Sequence, residues 1–212
     1  MKRYVEAIGG AAAFSKVQGV VVSGRLQTEA GEVVGHMTTW RARPDRVKAR
    51  TELVGYPPME IGYDGVTGWS RAGSDPTKTL AGPELVQIKR QASEILSLAD
   101  PDARFTKATT LARGTFEGKD SWKVALETND GQKLTSWLAP DTGLQRGFET
   151  TFLTPNGEIP VTVVTLEYRL FGGAGGLKLP TVLMQHSGDR KTQMTIDEVS
   201  VNPPELPTFS PP

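Results

Sequence analysis

The stretch Arg46-Val47-Lys48-Ala49-Arg50-Thr51-Glu52-Leu53 decides the fold. Val47, Ala49, Thr51 and Leu53 fall on one parity; Arg46, Lys48, Arg50 and Glu52 fall on the other. A strict period of two marks a strand with one face toward an apolar space. Met59, Ile61 and Tyr63 repeat the alternation, as do Trp122, Val124 and Leu126 against Ser121, Lys123 and Glu127. Leu144, Phe148 and Phe152 follow, then Val164, Leu166, Tyr168 and Leu170. Turn signals separate these runs: Ala30-Gly31, Pro44-Asp45, Asp64-Gly65, Glu117-Gly118, Asn129-Asp130-Gly131, Asp141-Thr142-Gly143, Asn156-Gly157 and Ser187-Gly188-Asp189. Asn-Gly and Asn-Asp-Gly supply the positive φ that tight hairpins require. About eleven strands joined by short links predict a mainly β (α+β) fold with a single large, curved antiparallel sheet.

Two segments break this rhythm. Between Pro83 and Ala99, Leu85, Ile88, Ala92, Ile95 and Ala99 recur at helical spacing, with Asp100-Pro101 as a stop signal. Residues 2–13 read as a short helix, with Tyr4, Ala7 and Ala11 on one side. The tail over residues 201–212 is too rich in proline for helix or central strand, and is expected to run extended over the surface, anchored by Phe209. The organisation predicted is one domain over residues 1–212, with strands over 17–72 and 105–200 flanking the helix at 83–99.

The composition narrows the function. The 212 residues carry 24 basic and 24 acidic side chains, a net charge of +0, so no long-range field draws in nucleic acid. Cysteine is absent and histidine occurs only as His36 and His186, which removes thiol chemistry, Cys-based metal sites and most histidine proton shuttles. No Gly-x-Ser-x-Gly elbow occurs, and no catalytic residue, metal ligand or cofactor is assigned. A hydrolase using carboxylates alone would need two acids brought into one cleft, and the sequence shows no such pair. Gly172-Gly173-Ala174-Gly175-Gly176 lacks the strand–loop–helix context of a phosphate cradle. No stretch approaches the ~20 apolar residues of a spanning helix. Met1-Lys2-Arg3 begins like a signal peptide, but Glu6 and Gly9-Gly10 interrupt any apolar run, so a mature domain is expected.

Two short helices are small cover for so wide a sheet, so an apolar, aromatic-lined cavity is expected; the competing reading is a sheet that packs its own side chains. The candidate lining residues of the first half are Val47, Leu53, Met59, Ile61, Tyr63 and Trp69, with Leu85, Ile88 and Ile95 from the helix. Those of the second half are Trp122, Val124, Leu126, Leu144, Arg146, Phe148, Phe152, Leu166 and Tyr168. Trp69 either stacks on a ligand at the rim or belongs to the core. Arg146 shares the parity of Leu144 and Phe148, and either holds a carbonyl or phosphate head group or reaches solvent along its stem. His36 and His186 read as hydrogen-bonded fillers. The Lys/Arg face of residues 46–50 reads as solvated, with anionic head groups as the weaker alternative.

The chain resembles the periplasmic outer-membrane lipoprotein-sorting proteins, the LolA/LolB-like carriers and their uncharacterised relatives. The resemblance rests on the order of short motifs. These run from Tyr4-x-x-Ala7-x-Gly9-Gly10 through Pro44-Asp45-Arg46 to Tyr63-Asp64-Gly65-Val66-Thr67-Gly68-Trp69. Asp141-Thr142-Gly143-Leu144, Tyr168-Arg169 before Leu179-Pro180, and Asn202 before Phe209-x-x-Pro212 complete the series. The resemblance implies a half-open β-barrel of about eleven strands lidded by an N-terminal helix and an inserted helix, here 83–99. It further implies a non-enzymatic protein of the bacterial periplasm that binds lipid or lipoprotein acyl chains for transport or sorting, with peripheral rather than integral membrane contact. The carriers use an arginine that contacts the lid, and no single residue here aligns with it. No hook-like apolar loop of the membrane-anchored receptor type stands out. The alternative function is an envelope interaction domain whose concave sheet binds a protein partner without lipid cargo.

Overall fold

The computed structural model describes residues 1–94, 96–172 and 176–212; Ile95 and the middle of the glycine-rich loop lie outside them. Among the described residues thirteen strands form one sheet. They are β1 (Gly19–Thr28), β2 (Val33–Ala42), β3 (Arg46–Leu53), β4 (Met59–Tyr63), β5 (Gly68–Ala72) and the two-residue β6 (Lys78–Thr79), followed by β7 (Phe105–Phe116) and β8 (Lys119–Thr128). The remainder are β9 (Lys133–Leu138), β10 (Gln145–Thr154), β11 (Gly157–Phe171), β12 (Leu177–Ser187) and β13 (Arg190–Val201). The order across the sheet is β6-β5-β4-β3-β2-β1-β13-β12-β11-β10-β9-β8-β7, an open antiparallel arrangement with β6 and β7 at its edges. The mainly β reading holds, with two more strands than the turn signals suggest.

The helices differ from the sequence reading in extent. The N-terminal segment forms two helices, α1 (Lys2–Ala7) and α2 (Ala11–Ser15). Gly9 and Gly10 separate them at φ 125° and 82°, a conformation that ends a helix. The inserted segment begins as α3 (Gly82–Ser93), continues as a 3₁₀ turn over Leu96–Ala99, and ends in α4 (Pro101–Arg104). Asp100-Pro101 is therefore a start as well as a stop: Asp100 Oδ1 accepts the Ala103 N–H at 3.0 Å, capping α4.

The chain divides into two compact units. One comprises Met1–Lys16, Ser97–Phe152 and Glu158–Thr192; the other comprises Val17–Leu96, Leu153–Gly157 and Gln193–Pro212. The core of the first includes Phe116 stacked on Trp137, ring centroids 5.3 Å apart, with Val164 beside them and Met184 packed against the group. Gly147 pairs with Trp137, and a Cβ there would meet the Val163 carbonyl oxygen at 2.3 Å and the Phe116 ring at 2.5 Å. Tyr4 on α1 buries its ring, and its hydroxyl meets that of Tyr168, which donates to the Gln145 carbonyl at 2.8 Å.

In the second unit the register assigns every side chain of β3 to a face. Val47 pairs with Tyr63, Ala49 with Ile61 and Thr51 with Met59, so the apolar parity of the opening octet lies on one surface. Lys48 pairs with Gly62 and Arg50 with Glu60 on the other. Trp69 pairs with Gly62, which places it on the charged surface and away from Val47 and Tyr63. It is fully buried there, because the tail crosses that surface: Phe209 is 5% exposed and its carbonyl oxygen accepts the Trp69 indole N–H at 2.8 Å. Gly62 makes the room, since a Cβ at that position would lie 2.6 Å from the indole. Asn202 holds the start of the tail, its Oδ1 accepting the Gln18 N–H at 2.7 Å.

The Lys/Arg face read as solvated is thus partly roofed. The Arg46 guanidinium lies 5.3 Å from the Phe209 ring centroid, and the Lys48 ammonium 5.6 Å from that of Trp69. Beneath them Glu60 is buried, 2.5 Å from Arg71, 3.5 Å from Lys48 and 4.0 Å from Arg50. Burial alone would raise the Glu60 carboxyl; the Arg71 hydrogen bond and the Lys48 and Arg71 charges outweigh it and hold the group below the ordinary carboxylate range.

Candidate functional site

The apolar surface of β1–β5 carries α3. Ile88 and Ala92 are buried against Val47, Tyr63 and Leu80, with Ile61 and Leu85 packed alongside. The approach is close because position 68 has no side chain: a Cβ on Gly68 would stand 2.8 Å from Leu85 Cδ1, 3.2 Å from Ile88 Cγ2 and 3.3 Å from Leu80 Cβ. Of the sequence candidates, Val47, Ile61, Tyr63, Leu85 and Ile88 thus meet in one cluster. Burial is the main cause that pushes the Tyr63 hydroxyl up, and that hydroxyl donates to the Gly65 carbonyl at 2.8 Å.

The helix covers part of this surface only. Gly24, Met37, Thr51, Met59 and Ala72 form the next cross-strand row, and Leu53, paired with Gly35, lies beyond it. Met59 is 55% exposed and Met37 and Leu53 are half-buried, so apolar side chains continue past the helix into the open. Met37 was not among the sequence candidates; its parity in β2 becomes readable only once the Thr51 pairing is known.

Polar bonds tie α3 down at its ends. Lys78 reaches Glu84 at 2.9 Å, and Gln87 Oε1 accepts the Leu153 N–H at 3.2 Å. At the C-terminal end, where unpaired carbonyls concentrate negative charge, two arginines of the β2 segment donate. Arg41 Nε bonds the Gln91 carbonyl at 3.2 Å, its guanidinium 3.8 Å from Glu94, and Arg43 bonds the Leu96 carbonyl at 3.1 Å. Arg43 also donates to the Val17 carbonyl at 2.7 Å. Burial pushes the Arg41 guanidinium below its ordinary range, partly offset by Glu94. Nothing in the local sequence around Arg41 announces this role, because the partner carbonyls lie some fifty residues on (|i−j| = 50).

In the other unit Trp122, Val124 and Leu126 pair with Leu138, Ser136 and Leu134, and Ser136 with Phe148, so these apolar side chains share one surface. Val124 and Leu126 are buried, Phe148 and Phe152 half-buried, and Trp122 exposed. Leu144 is half-buried ahead of β10, and its carbonyl accepts the Ala139 N–H at 2.8 Å. The β10 ladder slips between Gln145 and Gly147, interrupting the alternation at Arg146, whose Nε donates to the Asp120 carbonyl at 3.3 Å. That puts Arg146 beside the exposed Arg113–Asp120 ion pair. Leu166, at a slip between Thr165 and Glu167, is exposed, while Tyr168 is held with Tyr4 and burial pushes its hydroxyl far up. Among the described residues no three His, Asp or Glu side chains converge as a metal site.

With thirteen antiparallel strands and a helix packed on one surface, the chain has a LolA-like fold. A LolA superfamily protein from Nitrosomonas europaea superposes with a TM-score of 0.60 at 13% identity, covering 93% of this chain and 91% of that one. A DUF1329 family protein from Desulfovibrio piger gives 0.58 at 10%, covering 91% and 89%. An outer membrane lipoprotein-sorting protein domain from Vibrio parahaemolyticus gives 0.56 at 11%, covering 91% and 89%. At these identities the likeness is one of fold. No family model matches the sequence, and no curated protein matches it significantly.

Proposed function

We propose that this chain is a non-enzymatic carrier that holds the acyl chain of a lipid or lipoprotein on the apolar surface of β1–β5, with α3 as its lid, for transport or sorting in the bacterial cell envelope. The observation that carries the reading is the continuation of that surface, through Met37, Leu53 and Met59, beyond the edge of a helix fastened by a few polar bonds. An acyl chain lying along the open edge of α3 replaces water on Met37, Leu53 and Met59. A dozen buried methylenes contribute roughly 10 kcal/mol gross, and ordering costs of several kcal/mol leave a reversible complex. Arg41 and Arg43 are the latch: their bonds, to the Gln91 carbonyl near the end of α3 and to the Leu96 carbonyl of the 3₁₀ turn, can break and reform without disturbing β2. The LolA-like fold supports the reading, because one of the similar structures is of an outer membrane lipoprotein-sorting domain.

The test is native mass spectrometry of freshly purified protein together with titration of a fluorescent dodecanoyl probe. The protein is expected to carry or take up acyl chain, and Met59→Glu, at an exposed position, to weaken probe binding about tenfold through the cost of placing a carboxylate against hydrocarbon. Lipid-free protein that also ignores the probe refutes the proposal.

A further inference from the structure

The two edges of the sheet are unlike. β6 is two residues long and offers almost no template, whereas β7 runs from Phe105 to Phe116, and every residue from Thr106 to Arg113 is exposed. One side of β7 is paired with β8; among the described residues no strand occupies the other. An unpaired edge presents a row of backbone N–H and C=O groups to any extended chain that reaches it. Natural edges are usually kept short, and this one is long and rich in threonine.

The charges on β7 decide what it would accept. The strand carries Lys107 and Arg113 and no acid. Arg113 is already paired with Asp120. Lys107 stands opposite Glu127 on β8, yet among the described residues it forms no ion pair or hydrogen bond. A second copy is a poor match, because antiparallel self-pairing centred on Thr110 sets Lys107 against Arg113, and like charges directly opposed destabilise a ladder. The bulge between Thr110 and Ala112 breaks the regularity that an endless stack of copies would need. The same bulge leaves Leu111 55% exposed, and Trp122, opposite Arg113 on β8, is 36% exposed. Leu111 gives an incoming strand an apolar side chain to cover, while Trp122 lies one strand further in with the Arg113 guanidinium 5.7 Å from its ring centroid.

We infer that β7 is a docking edge for an extended, acidic segment of another protein, which adds as a further strand beside Lys107–Arg113. Main-chain hydrogen bonds supply the pairing, while Lys107 selects against basic chains.

The experiment uses the whole protein and two fluorescein-labelled decapeptides, one alternating Val and Glu and the other Val and Lys, read by anisotropy. The acidic peptide is expected to bind, more weakly as salt rises, and the basic one at least about tenfold less tightly. Lys107→Glu should reverse the preference. Thr109→Pro and Thr110→Pro each remove one N–H, and successive N–H groups point to opposite sides of a strand, so one proline spares the bonds to β8. The proline variant that keeps the parent melting temperature should lose the acidic peptide. Absence of binding, equal affinity for both peptides, or indifference to Lys107→Glu and to the folded proline variant overturns the inference. A concentration-dependent dimer dispersed by that same proline overturns it in favour of self-pairing.

Discussion

Replacing Phe209 by alanine tests whether the proline-rich tail is part of the folded structure of its unit. The ring is 5% exposed, lies under the Arg46 guanidinium, and belongs to the residue whose carbonyl receives the Trp69 indole N–H. Truncating a buried phenylalanine costs about 3–5 kcal/mol. The tail lies at the surface and can settle partway into the gap, so the low end, about 3 kcal/mol, is expected. For a chain of this size each kcal/mol moves the melting temperature by roughly 2–4 °C, which gives a fall of about 6–12 °C. The assay is a melt followed by tryptophan fluorescence and circular dichroism, with urea unfolding as a check on the free energy. Trp69→Phe, which keeps a ring but removes the N–H, should cost about 1 kcal/mol through the orphaned Phe209 carbonyl. If Phe209→Ala changes stability by less than about 0.5 kcal/mol, the surface-substitution range, the tail is a passive appendage and the account of Trp69 is wrong.

Three further outcomes follow from the geometry. Glu60→Gln should cost about 1–3 kcal/mol at pH 7, because it removes a carboxylate bonded to Arg71 and facing Lys48. The native carboxyl titrates below its ordinary 4.5, so its contribution is present above that value and lost as pH falls through the depressed native one; urea midpoints of parent and variant should differ at pH 7 and converge in strong acid. Gly68→Val should cost about 1–3 kcal/mol by forcing Leu85 and Ile88 off the sheet, and should also speed release of the dodecanoyl probe. Arg41→Leu, with its bond to Gln91 removed, should raise probe exchange rates more than it lowers the melting temperature; a change in stability alone would count against the latch.

The alternation of residues 46–53, repeated over Met59–Tyr63, was sufficient to reveal a sheet and to put Val47, Ile61 and Tyr63, which meet α3, on one face, because a one-residue slip would exchange the two faces. What lies across the sheet was harder to read. Trp69 looks apolar-facing when counted on from Tyr63, but the hairpin at Asp64–Gly65 resets the parity, and only the strand glycine Gly62 opposite it hints at a large neighbour. The surroundings of Arg146 were hidden for a related reason, since alternation cannot foresee the ladder slip at Gln145–Gly147. The latch was invisible, as Arg41 and Arg43 meet main-chain carbonyls, which carry no residue identity. Phe209, by contrast, was legible as an anchor: one aromatic residue among five prolines has little else to do.

The Trp69–Phe209 bond joins residues 140 positions apart. During synthesis β3, β4 and β5 are made long before Phe209 leaves the ribosome, and for that interval Trp69 has no roof. The unit that contains them therefore completes its fold late, and the nascent chain passes through a stage in which an indole is open to chaperones, proteases and neighbouring polypeptides.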